Sequence, residues 1–135
     1  MNVLIVDDDK LARKGLVAII DWEKYGFEVV GDVQNGRKAL EFLRNHPVDI
    51  VFTDIDMPEI DGLELMQICG EEFPEIKFVI LSVYENFSYA QTAIRMGALD
   101  YISKISFSPE ECVTILERVS AKYMQTCRRG KTGKS

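Results

Sequence analysis

Apolar runs and helical spacing alternate five times along the chain. Apolar stretches stand at Val3–Val6, Phe27–Val33, Ile50–Thr53, Phe78–Ser82 and Leu99–Ser103. Short apolar runs bounded by polar and turn-forming residues read as strands. Between them the apolar positions recur every three or four residues. Leu11, Ala12, Gly15, Leu16, Ile19 and Ile20 form one such stripe. Val113, Leu116, Val119 and Tyr123 form another near the end of the chain. "SPEE" at Ser108–Glu111 marks a helix start. Ser108 is placed to cap it, Pro109 to occupy the first helical position and Glu111 to close the capping box. "DGLE" at Asp61–Glu64 has similar caps with a glycine between.

Strict alternation of strand and helix predicts an α/β domain, a parallel sheet with helices on both faces. Composition orders the strands. "VLIV", "IVF" and "FVIL" are unbroken apolar runs, as central strands buried on both faces require. "FEVVGDV" and "LDYIS" admit charged residues, which suits edges. The doubly wound, flavodoxin-like order 2-1-3-4-5 places the second and fifth strands at the edges. Its ligands bind beyond the carboxyl ends of the strands, beside strands one and three.

Composition narrows the classes. With 135 residues, 47% hydrophobic and 28% charged, the chain suits one globular domain. No stretch approaches 18 apolar residues, so no membrane span is expected. Acids at positions 7 to 9 disfavour a signal peptide. Cys69, Cys112 and Cys127 have no metal-binding spacing and read as reduced thiols of a cytoplasmic protein. A single histidine, His46, excludes a metal site built from histidines. The net charge is −6, yet the last ten residues, "TCRRGKTGKS", hold four basic residues and no acid. The acidic body is not expected to bind nucleic acid by itself. Residues 1–125 are therefore read as the domain and 126–135 as a basic tail or linker without structure. "GKTGKS" imitates a phosphate-binding loop, but Arg128 occupies the required glycine position.

The chemistry gathers at the strand ends. Strand one runs into Asp7, Asp8 and Asp9, strand three ends at Asp54, strand four at Ser82 and strand five at Lys104. Two carboxylates about 4 Å apart repel by roughly 4 kcal/mol at an effective dielectric near 20. A compensating charge is therefore expected. Asp9 is placed to cap the first helix. Asp7, Asp8 and Asp54 should converge, and an all-oxygen anionic site suits a hard cation, Mg²⁺ above all. One carboxylate could then attack phosphorus to give an aspartyl phosphate. Asp54, alone on the middle strand, is the best nucleophile. Lys104 would offset charge, and Ser82 would donate to a phosphoryl oxygen. The Asp54-Ile55-Asp56 run brushes a Ca²⁺-loop pattern that fails at Pro58 and Leu65.

Over residues 1 to about 125 the chain resembles the receiver (CheY-like) domain of two-component response regulators. The matching stretches are "VLIVDDDKLARKGL", "DIVFTDIDMPEIDGLELM", "FVILSVYENFSYAQTAIRMGALDYISK" and "SPEE". "DWEKYGFEVVGDVQNG" and "YENFSYAQTAI" look like the receivers joined to AraC-type DNA-binding domains. The resemblance implies that Asp54 accepts a phosphoryl group from a sensor histidine kinase. It implies Mg²⁺ bound directly by Asp8 and Asp54, by Asp7 through water, and by the backbone carbonyl of Asp56. Ser82 and Tyr101 would be the switch pair and Lys104 the phosphate-contacting lysine. The domain would be regulatory, catalysing only its own phosphorylation and dephosphorylation. The surface of the fourth helix, fifth strand and fifth helix would select a partner or form a homodimer, and DNA would be reached only through a separate output domain.

Two departures stand out. The family usually has proline after the lysine, and here Ile105 follows Lys104. A cis bond before a non-proline costs about 2.5–4 kcal/mol, so a trans Lys104–Ile105 bond is expected. Val83 is bulkier than the usual Gly or Ala, so narrower access to the phosphoryl group is expected. Two alternatives compete. "TDIDMP" resembles the nucleophile loop of haloacid-dehalogenase-type phosphatases, which place that acid on the first strand. A receiver-like interaction module that is never phosphorylated would carry the same fold.

Overall fold

The computed structural model describes residues 1–82, 87–103 and 109–134. Five strands, β1 (Asn2–Val6), β2 (Glu28–Val33), β3 (Ile50–Asp54), β4 (Lys77–Ser82) and β5 (Asp100–Ser103), form one parallel sheet. Their order is β2-β1-β3-β4-β5, as expected. Among the described residues the α-helices are α1 (Lys10–Ile19), α2 (Gly36–Asn45), α3 (Gly62–Glu72), α4 (Phe87–Arg95) and α5 (Pro109–Lys134). A short 3₁₀ turn, Glu23–Tyr25, lies between α1 and β2.

The sheet separates two apolar layers. Strand side chains alternate between faces. Leu4, Val6, Val51 and Ile80 face α2 and α3, where Leu40, Leu43, Leu65 and Cys69 cover them. Val3, Ile5, Phe52, Val79 and Leu81 face the other way, onto Cys112, Ile115, Leu116 and Val119 of α5 and onto Trp22 and Phe27. Each fully buried Val, Leu or Ile contributes about 1.5–3 kcal/mol. Trp22 and Phe27 each meet Phe52 edge to face, and the Trp22 indole donates to the Leu16 carbonyl at 3.2 Å. Edge strand β2 is only partly covered along its length. Burial pushes the Cys69 thiol up to about 12, and the Cys112 thiol in the same direction. Both are therefore protonated at neutral pH.

Two expectations are corrected. The stripe read for α1 places Leu11 and Ile19 toward the core, yet they are 85% and 69% exposed. The helix turns instead on Arg13, Leu16, Val17 and Ile20, a face of the same spacing rotated around the axis. Arg13 is buried because the end of the sheet offers it acceptors, described below. In α5, Val113 likewise stands at the rim, 39% exposed, and Cys112 takes the inward place. α5 itself continues as helix to Lys134. Propagation gains one hydrogen bond for each residue fixed, so an established helix can extend without a core of its own.

Candidate functional site

The site grows from the ends of β1 and β3. Val6 pairs with Thr53, so the next residues, Asp7 and Asp54, leave neighbouring strands side by side. Both are buried, and Asp8 is exposed beside them. Carboxylate oxygens of Asp7, Asp8 and Asp54 lie within 4.8 Å of one another. Charges this close are held by the backbone around them. The Asp7 amide donates to the Val33 carbonyl at 3.1 Å. Asp7 Oδ1 accepts from the Asp9 amide at 2.9 Å. Asp9 turns away from the cluster and caps α1, accepting from the Leu11 and Ala12 amides. Thus the third acid of "DDD" shapes the turn, and the first two face Asp54.

The loop after β3 fixes Asp54. Asp54 Oδ1 accepts from the Asp56 amide at 3.3 Å, and the Ile55 amide donates to Leu81 of β4. The chain then folds back, and the Gly62 amide donates to the Ile55 carbonyl at 2.9 Å. α3 starts there with the expected capping box between Asp61 and Glu64. Gly62 lies against the strand end itself. A Cβ at this position would stand 2.6 Å from the Asp54 carbonyl oxygen and 2.9 Å from Ile55 Cα.

Ser82 is fully buried at the end of β4, next to β3, and pairs in register with Ser103 of β5. Tyr101 is half-buried on β5 and packs on the α2–α3 side of the core. Lys104, Val83, the Lys104–Ile105 bond and the Ser108 cap lie outside the described residues. The donor set fits a hard divalent cation, being made of carboxylate oxygens with no imidazole or thiol among them.

One part of the site escapes sequence reasoning. The Arg13 side chain lies at the foot of the acidic turn, 8% exposed. Its Nη1 donates to the Asp7 carbonyl at 2.8 Å and its Nε to Asp32 Oδ1 at 2.7 Å. Lys14 reaches the same Asp32 oxygen at 3.3 Å. Burial alone would raise the Asp32 pKa, but the hydrogen bonds and charges of Arg13 and Lys14 outweigh it and hold this carboxyl below its usual value.

The sequence and fold correspond to a known family. The response regulator receiver domain matches residues 3–117. The chain belongs to that family and is a receiver domain of two-component response regulators. It is 33% identical over 121 residues to the uncharacterized transcriptional regulatory protein YesN of Bacillus subtilis, covering 90% of this chain and 33% of the relative. It is 34% identical over 119 residues to the response regulator UvrY of Escherichia coli, covering 88% of this chain and 54% of the relative. The chain thus spans about a third to a half of the length of these relatives. Among solved structures, the REC domain of AraT from Geobacillus stearothermophilus has 38% identity and a TM-score of 0.82, covering 93% of this chain and 96% of that one. A two-component AraC regulator from Clostridium phytofermentans has 31% identity and a TM-score of 0.80, with the same coverage. The phosphatase alternative fails against this assignment, and its nucleophile would belong on the first strand, whereas Asp54 ends β3. No helix among the described residues is long and apolar enough to cross a membrane.

Proposed function

We propose that Asp54 is the phosphoacceptor of a two-component pathway and takes its phosphoryl group from a sensor histidine kinase. The observation that carries this reading is the convergence of Asp7, Asp8 and Asp54 within 4.8 Å at the ends of β1 and β3 in a receiver-family chain. Asp7, Asp8 and Asp54, with the Asp56 backbone carbonyl, would hold Mg²⁺. When bound, that ion neutralises phosphoryl oxygens, where charge must be stabilised in phosphoryl transfer. An Asp54 oxygen forms the new bond to phosphorus, and the bond from phosphorus to the kinase histidine nitrogen breaks with its electron pair left on the imidazole. The buried Asp54 backbone, pinned through Ile55 and Gly62, presents its carboxylate for this attack. Ser82 on the adjacent strand and Lys104 would contact the phosphoryl oxygens.

The same residues suit a switch. Phosphorylation adds about −1.5 to −2 charge and three acceptor oxygens. Ser82 would turn toward them, and Tyr101 on the next strand would move inward. The α4–β5–α5 surface would then favour a different partner or a homodimer. The chain would catalyse only its own phosphorylation and dephosphorylation. The relatives' names support a transcriptional output, reached through a DNA-binding domain beyond α5, in the cytoplasm where its kinase presents phosphohistidine. Residues 126–135 would then serve as the connector.

The chemistry has a direct test. An aspartyl phosphate is a mixed anhydride, so an adduct formed with phosphoramidate and Mg²⁺ should be discharged by neutral hydroxylamine. A phosphoester on serine or tyrosine would survive that treatment, and an adduct that survives contradicts the assignment.

A further inference from the structure

A buried arginine beside an acidic cation site is unexpected on charge alone. Removing a positive charge next to a Mg²⁺ site should strengthen cation binding by Coulomb's law. Yet the Arg13 guanidinium is bound to the backbone of the site. It spans three elements at once. It belongs to α1, donates to the Asp7 carbonyl at the end of β1 and donates to Asp32 near the end of β2. Its own amide donates to the Asp9 carbonyl at 2.9 Å. Asp7 to Asp9 is the turn that carries two of the three clustered carboxylates. Few side chains could make this brace. A guanidinium offers five donors in a fixed planar fork, whereas an ammonium is a compact point charge with three rotatable donors.

We infer that Arg13 is a positioning residue for the cation site: clamped between the Asp7 carbonyl and the Asp32 carboxylate, it fixes the turn that aims Asp7 and Asp8 at the metal. The inference rests on the reading of the acidic cluster as a Mg²⁺ site. Asp32 is the anchor. It holds the guanidinium in one place through Nε, so that Nη1 meets the Asp7 carbonyl. Lys14, an exposed side chain, shares the Asp32 oxygen at 3.3 Å. Groups that orient metal ligands from outside commonly change metal affinity by about 10–100-fold when lost.

The sign of the effect separates positioning from charge. Mg²⁺ titration by calorimetry, well below the unfolding temperature, is run on the wild type, Arg13→Met, Arg13→Lys and Asp32→Asn. Arg13→Met should bind Mg²⁺ about tenfold more weakly than wild type. Phosphorylation by phosphoramidate should slow in Arg13→Met at low Mg²⁺ and recover at saturating Mg²⁺, because Asp54 is held by the other strand. Affinity equal to or tighter than wild type would overturn the inference. Should Arg13→Met fail to fold, Arg13→Lys keeps the charge but lacks the planar fork that holds both acceptors, and it should bind several-fold more weakly; unchanged affinity there also overturns the inference. Asp32→Asn loses the anchor and a negative charge together, so both effects weaken binding there; unchanged or tighter affinity in Asp32→Asn also overturns the inference. A wild-type protein that binds no Mg²⁺ would remove the site reading itself, a failure visible without any variant.

Discussion

Asp8→Asn should make the metal-free protein more stable and abolish its stabilisation by Mg²⁺. The two effects have opposite signs and one cause. Asp8 is exposed, so its loss opens no cavity. It is also one of three carboxylates whose oxygens lie within 4.8 Å. Two unit charges about 4 Å apart repel by about 1 kcal/mol even in water-like surroundings. Without metal, the substitution therefore relieves repulsion. With metal, on the proposed reading of the cluster, it would remove a ligand. A cation that binds only the folded state adds about 2.7 kcal/mol at 100 times its dissociation constant. For a domain of this size that corresponds to a rise of roughly 10 °C in the melting temperature. Thermal unfolding of both proteins with and without Mg²⁺ checks this. Wild type should gain that stability, and Asp8→Asn should start higher and gain little. A variant that still gains the full shift would exclude Asp8 from the metal site.

Gly62→Ala should lower stability and impair phosphorylation together. The added methyl would stand 2.6 Å from the Asp54 carbonyl oxygen and 2.9 Å from Ile55 Cα. Both are backbone atoms, so no flexible side chain can yield. Either α3 moves out or the end of β3 moves in. Overpacking of this kind costs about 1–3 kcal/mol, and the upper end is expected here. The Gly62 amide also donates to Ile55, so the displacement passes directly to the loop that holds Asp54. Denaturant unfolding gives the stability loss. The rate of adduct formation with phosphoramidate at saturating Mg²⁺ gives the second effect, a fall of at least about tenfold, as expected when reacting groups lose alignment by even 1 Å. Full stability with normal phosphorylation would show that the loop relaxes without moving Asp54.

Gly62 also shows what sequence can and cannot convey. Its place after the capping residue Asp61 is legible, because helix starts leave a local signature. Its contact with the Asp54 backbone is not, because that contact depends on how a loop folds back over a strand. The strand order is legible for a reason of packing. β1, β3 and β4 are covered on both faces, which forces unbroken apolar runs, while β2 and β5 tolerate charge. The acidic cluster is legible because a parallel sheet brings its carboxyl ends to one edge. Arg13 is missed because a charged residue at an inward helical position looks like a surface residue. Only the acceptors at Asp7 and Asp32 make its burial tolerable, and these come from two other elements. Leu11 and Ile19 mislead for the complementary reason, as apolar residues that the helix turns outward. Trp22, next to the 3₁₀ turn before β2, docks edge to face on Phe52 of β3, a contact between distant positions in the chain that local pattern does not convey.

The most direct test of the central claim is intact mass after incubation with phosphoramidate, on wild type and on Asp54→Asn, with and without Mg²⁺. One phosphoryl group should appear on the wild type with Mg²⁺ and on neither protein otherwise. An adduct of the same extent on Asp54→Asn, or none on a wild type that binds Mg²⁺, would contradict the assignment of Asp54 as the phosphoacceptor.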